Sequence, residues 1–171
     1  MFQRATVWLI FVFVLSAAPA GAQQDDTHKG FWLSFGAGGG WMGNERSAVT
    51  YFRMGGTPNK RVLFGGQVLH WWQDEDTQHS SVTATFAIYP MYRTTRRPGL
   101  LQELFFKTGF GVATSHSYGD DETGLGLNLG TGFDFRLGKN FFVTPNLDYC
   151  IDLFDDTTYT SLLFSLGLSW H

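Results

Sequence analysis

GLGLNLGTGFDFRLGKNFFVTPNLDYCIDLF, running from Gly124 to Phe154, is the stretch that decides the fold. In its first half Leu125, Leu127, Leu129, Phe133, Phe135 and Leu137 alternate with Gly126, Asn128, Gly130, Gly132, Asp134 and Arg136. After Gly138-Lys139-Asn140 the alternation resumes, with Phe141, Val143, Leu147, Tyr149, Ile151 and Leu153 opposed to Thr144, Asn146, Asp148 and Asp152. A period of two broken by a Gly/Asn turn is the pattern of a β-hairpin. One face of the hairpin is Leu, Phe and Val; the other is small or hydrogen-bonding, with a few charges.

The same pattern extends outward in both directions. Phe31, Leu33, Phe35, Ala37 and Trp41 alternate with Ser34, Gly36, Gly38 and Gly40; Val62, Phe64, Val68 and Trp72 flank Gly65 and Gln67; Leu104, Phe106, Phe110 and Val112 oppose Glu103, Lys107, Gly109 and Gly111. Leu162, Phe164, Leu166, Leu168 and Trp170 oppose Ser161, Ser165, Gly167 and Ser169. Eight strands are expected, near 31–42, 48–55, 61–72, 81–92, 101–114, 124–137, 141–154 and 157–170. No apolar run after residue 23 reaches the roughly 20 residues of a membrane helix.

Composition decides which face meets what. Of 171 residues only 16% are charged, against roughly 25% in soluble domains, and only four are Lys, whereas Gly numbers 21, Phe 17 and Trp 6. In a soluble sheet the non-apolar face would carry Lys, Glu and Arg toward water. Here it carries Gly, Ser, Thr and Asn, which suit the crowded lumen of a narrow barrel, and the Leu/Phe/Val face suits lipid. The expected fold is therefore all-β, an eight-stranded antiparallel up-and-down transmembrane β-barrel. Trp41, Trp71, Trp72, Tyr92 and Trp170, near strand ends, are expected in its aromatic girdles. Inward Glu103, Lys107, Asp134, Arg136, Asp148 and Asp152, with Gln67, Asn128 and Asn146, form an expected structural network, with Glu103 paired to Arg136 and Lys107 to Asp134. Cys150 is expected inward and unpaired.

Charge is segregated between the turns. Glu45, Asp74, Glu75, Asp76, Asp120, Asp121, Glu122, Asp155 and Asp156 fall at odd-numbered connections, the first of which also holds Arg46. Arg53, Lys60, Arg61, Arg93, Arg96, Arg97, Arg136 and Lys139 fall at or beside even-numbered ones. One rim should be acidic and the other basic. Before the strands, Arg4, the apolar Val7–Leu15 and the small-residue Ala20-Gly21-Ala22 give an expected cleavable signal peptide over 1–22, leaving 23–171 as one exported domain.

This pattern, above all FFKTGFGVATSH (Phe105 to His116) and Gly124 to Tyr149, resembles the small eight-stranded outer-membrane β-barrel superfamily, the OmpA/OmpX type. The resemblance implies a Gram-negative outer membrane, with outer-membrane lipids and lipopolysaccharide as surroundings. It implies too that the barrel-assembly machinery reads the last strand at Leu166, Leu168 and Trp170, although His171 follows where an aromatic usually ends the chain. With termini on the periplasmic side, the acidic turns would face outward.

The same residues bear on other functions. A net charge of −3 gives no electrostatic case for nucleic acid. One Cys excludes an internal disulfide, and neither a cofactor nor a metal motif is present; a solvated acidic rim explains Asp74–Asp76 and Asp120–Glu122 better than a cation site. A lipid A-modifying acyl hydrolase or transferase is the first alternative. The deacylases of this kind carry His-x-Ser on the seventh strand, which here reads FFVTPNLDYCIDLF without either residue; His79-Ser80-Ser81 and Ser115-His116-Ser117 supply the residue types elsewhere. The expectation is no enzyme. Gly30-Phe31-Trp32 resembles the start of a lipocalin, a second alternative, but the lumen phase is polar and the chain closes in strand. The leading expectation is a structural or surface-interacting barrel with no open pore and no identified extracellular partner.

Overall fold

A computed structural model describes residues 30–59, 61–72, 77–92, 100–117 and 120–171. The strands are β1 (Gly30–Met42), β2 (Glu45–Asn59), β3 (Val62–Trp72), β4 (Thr77–Ile88), β5 (Leu104–Ser117), β6 (Asp120–Phe133), β7 (Phe135–Arg136), β8 (Phe141–Leu153) and β9 (Thr158–Trp170), with a 3-10 turn at Leu100–Glu103 before β5. Every pairing between them is antiparallel. β1 pairs with β9, which closes the sheet on itself. β6 and β7 both pair with β8 in one register and are a single stave interrupted at Asp134, so the barrel has eight staves. Closure leaves no free edge, as a chain lying in lipid requires.

Strand limits differ from expectation in β2, β4, β5 and β6, and two of these differences have a local cause in Gly and Pro. β2 runs over 45–59 rather than 48–55, through Gly55-Gly56. Gly55 is a strand residue because β2 and β3 approach too closely there for a side chain: a Cβ on Gly65 would sit 2.7 Å from the Gly55 Cα, whereas one on Gly56 would meet nothing nearer than the Gly30 carbonyl oxygen at 3.8 Å. The register of the two strands then shifts between Gly56 and Asn59, at Pro58. β4 ends at Ile88, short of 92. Pro90 cannot donate to a ladder, and the Tyr92 N–H instead closes a turn onto the Tyr89 carbonyl at 3.3 Å.

Burial is inverted relative to a soluble protein. Phe64 is 57% exposed, Phe110 59% and Leu166 59%, whereas Asp148 and Gln67 are each 1% exposed. This arrangement suits a hydrocarbon exterior. It also removes the soluble carrier reading, for Trp32 of the G-x-W points into a lumen that holds charge.

The Gly55–Gly65 approach gives a direct test. Gly65→Val should abolish the folded, compact form on unheated gels, while Gly66→Ala, where the nearest atom to a new Cβ is 4.0 Å away, should leave it intact.

Candidate functional site

The lumen is the place where chemistry-bearing side chains converge, and alternation puts them there. On β2 the inward phase is Ser47, Val49, Tyr51 and Arg53; on β5 it includes Lys107; on β8 it is Phe142, Thr144, Asn146, Asp148, Cys150 and Asp152. Asp148 is the hub. Lys107 Nζ lies 2.8 Å from its Oδ1 and Arg53 Nη2 3.1 Å from its Oδ2, and Asn128 Nδ2 donates to Oδ1 at 2.9 Å. Arg53 also donates to Gln67 and to Asn146 Oδ1 at 2.8 Å, with its guanidinium 4.0 Å from the centre of the Tyr51 ring. A carboxylate between two cations, each further hydrogen-bonded, is the arrangement in which burial of charge is tolerable.

A second cluster lies toward the basic rim. Asp134 accepts from Thr144 Oγ1 at 2.6 Å and from the Tyr89 hydroxyl at 2.5 Å, and His171 Nε2 is 3.4 Å from it. Thr144 and Ser169 hydroxyls meet at 2.7 Å, Ser169 donates to Ser34 at 2.8 Å, Ser34 meets Tyr51 at 3.3 Å, and Asn146 donates to Tyr51 at 3.1 Å. One polar network therefore runs from His171 to Asn128.

Apolar layers flank this network. Toward the acidic rim, Met42, Val49, Leu69, Leu163 and Cys150 pack with Trp71, whose Nε1 donates to Met42 Sδ at 3.2 Å. His79 stacks on Trp71 at 6.0 Å and meets the Tyr159 ring at 5.1 Å. Toward the basic rim lie Trp32, Leu63, Ala87, Tyr89, Tyr92 and Phe105. The lumen is thus layered rather than uniformly polar.

Several expectations need correction. Lys107 pairs with Asp148, not Asp134, because Asp134 is already enclosed by Tyr89, Thr144 and His171. Arg136 does not join Glu103 inside: it is exposed at the strand end, its guanidinium 5.6 Å from the centre of the Phe142 ring, where a long side chain reaches solvent. Glu103 is buried and its carbonyl accepts the Asp134 N–H at 3.1 Å. Arg53, expected at the basic rim, is a lumen residue, because β2 continues past it to Asn59. Trp71 and Tyr92 face the lumen, whereas Trp41 and Trp72 are exposed girdle residues. Asp152 is 1% exposed in the inward phase.

At the rims, Asp120, Asp121, Glu122, Asp155 and Asp156 are exposed at one end, and Arg61, Arg136 and Lys139 at the other. Asp74, Glu75, Asp76, Lys60, Arg93, Arg96 and Arg97 lie outside the described residues. On β9, Leu166 and Leu168 point outward and Trp170 is half-buried beside Phe31. The two Ser/His runs do not assemble as triads. His79 and Ser81 face the lumen, while Ser80 faces out and meets His70 of β3; Ser115 faces in, while His116 faces out to Asp121 at 2.6 Å.

A closed eight-stave barrel with an apolar exterior and a charged, layered interior defines a transmembrane β-barrel of the small outer-membrane class. The chain belongs to the family described as outer membrane protein beta-barrel domain, whose model matches residues 10–171. In fold it is similar to Neisserial surface protein A, with a TM-score of 0.63 at 15% identity over 83% of this chain and 97% of that one. It is also similar to Ail, the attachment invasion locus protein of Yersinia pestis, with a TM-score of 0.51 at 17% identity over 83% and 99% of the two chains. No curated protein matches the chain in sequence.

Removing the hub should be costly. Asp148→Asn leaves Arg53 and Lys107 facing each other in the lumen and should destabilise the barrel by about 3–5 kcal/mol in urea titrations in lipid vesicles. Arg136→Ala, at an exposed position, should change the midpoint little.

Proposed function

We propose that the protein is an integral component of a Gram-negative outer membrane with a structural or surface-interacting role and no open pore. In this reading residues 1–22 direct export and are removed. The assembly machinery reads β9 through Leu166, Leu168 and Trp170, and lipopolysaccharide and outer-membrane lipids surround the belt. Both termini lie on the periplasmic side, so Asp120–Glu122 and Asp155–Asp156 face the exterior and the basic turns face the periplasm. The observation that carries the absence of a pore is the stacking of the Asp148 crossbar between two apolar layers, with Trp71 0% exposed on one side and Tyr89 1% exposed on the other.

Reconstituted in a planar bilayer, the protein should raise conductance little above that of bare lipid, and on gels its mobility should change on boiling. Recovery in a soluble periplasmic fraction, or stable large channels, would contradict the reading. Orientation has its own check. Cys150 is the single cysteine and is buried. On intact cells an impermeant maleimide should therefore label Asp155→Cys and leave both Lys139→Cys and the unaltered protein unlabelled.

A further inference from the structure

Among the described residues, the lipid-facing wall carries a run of four polar side chains on adjacent strands that neither the lumen network nor the rims account for. On β3 the outward residues Val62, Phe64 and Val68 are followed by His70, whose Nδ1 lies 2.7 Å from the Oγ of Ser80, directly opposite on β4. Thr50 of β2 lies directly across from His70, and Thr114 of β5 directly across from Ser80. Four neighbouring strands thus present Thr50, His70, Ser80 and Thr114 side by side. Trp72, 37% exposed, is the next outward residue on β3 toward the acidic rim, and its ring stands 5.4 Å from that of His70.

Depth and hydrogen-bonding capacity together limit what this notch can hold. Interfacial Trp marks the headgroup level, and two residues along a tilted strand place His70 about 5 Å deeper. An ionisable side chain facing lipid at that level is expensive and calls for a partner. The His70–Ser80 bond satisfies only part of the pair. If Ser80 donates to Nδ1, the Nε2–H remains to donate; in the other tautomer the Ser80 O–H remains. The directly opposed residues are both Thr, so among the described residues no carboxylate lies across from the pair to orient the imidazole as a nucleophile–base pair would require. The available chemistry is hydrogen-bond donation to an acceptor at that depth.

We propose that Thr50, His70, Ser80 and Thr114 form a binding notch for the acyl-linkage carbonyl of a lipid, seated beneath Trp72. The acyl linkages of a bilayer lipid lie just below its headgroup, at the depth of the notch, and their carbonyls are acceptors without donors of their own. The headgroup would then sit at the level of Trp72 and the chain would run down over Val68 and Phe64. The inference rests on the membrane placement proposed above and names a lipid contact on that surface.

The test is competition between two phosphatidylcholines of equal chain length, one diester and one diether, for the full-length barrel, read as retained lipid by native mass spectrometry. The unaltered protein should retain the diester form by about fivefold over the diether form, on the scale of one net hydrogen bond. His70→Phe and the milder Ser80→Ala should each bring that ratio toward one, while Trp41→Phe, at the acidic end of β1, should preserve it. Equal retention by the unaltered protein, or a preference that survives both His70→Phe and Ser80→Ala, overturns the notch. Failure to insert into vesicles of either lipid would instead overturn the membrane placement, so the two failures are told apart.

Discussion

Asp148 is the constraint on which the interior depends. A carboxylate 1% exposed inside a narrow barrel would be untenable alone, and it is held by Lys107 and Arg53 with Asn128 as a further donor. Those partners come from β5, β2 and β6, so the position of four staves is fixed by one side chain. The remaining polar groups extend from this point: Asn146 joins it to Tyr51, and Ser34, Ser169 and Thr144 carry the network on to Asp134. The apolar layers at either side keep water from competing for the crossbar, which strengthens each of its bonds.

The fold was legible because alternation is a local property. Eight staves, their order and the outward phase of β1, β5, β6, β8 and β9 follow from residues two apart, and segregated turn charges fix which ends share a rim. Strand limits were less legible where Gly and Pro carry two meanings. Gly55 closes the expected 48–55 strand in sequence and proves to mark a close approach of β2 to β3, visible only with the partner strand in place. Two residues from the expected strand end, Arg53 reads as a rim residue, and it is the continuation of β2 to Asn59 that sets it inside the lumen.

The interior was legible in membership and illegible in pairing. Inward phase identifies Lys107 and Asp148, but which carboxylate meets which cation depends on shear between staves far apart in sequence. Lys107 was matched to Asp134 because the competing claims of Tyr89, Thr144 and His171 on that carboxylate do not show in a linear pattern. Trp71 and Trp72 show the converse: adjacent side chains face opposite ways, and the alternation that puts Trp72 in phase with Phe64 and Val68 sends Trp71 to the lumen. The His70–Ser80 pair was hidden for a related reason: Ser80 was read beside its chain neighbour His79, which alternation sends to the other face.

Arg53 and Asp148 are separated by 95 positions in the chain. Their contact cannot exist in a partial sheet, because β2 and β8 are brought across the lumen from each other only once β1 and β9 zip together. Until that seam closes, Asp148 can already meet Lys107 and Asn128 from β5 and β6, whereas Arg53 has no carboxylate and needs water. Drying of the lumen around Arg53 is therefore coupled to closure of the seam.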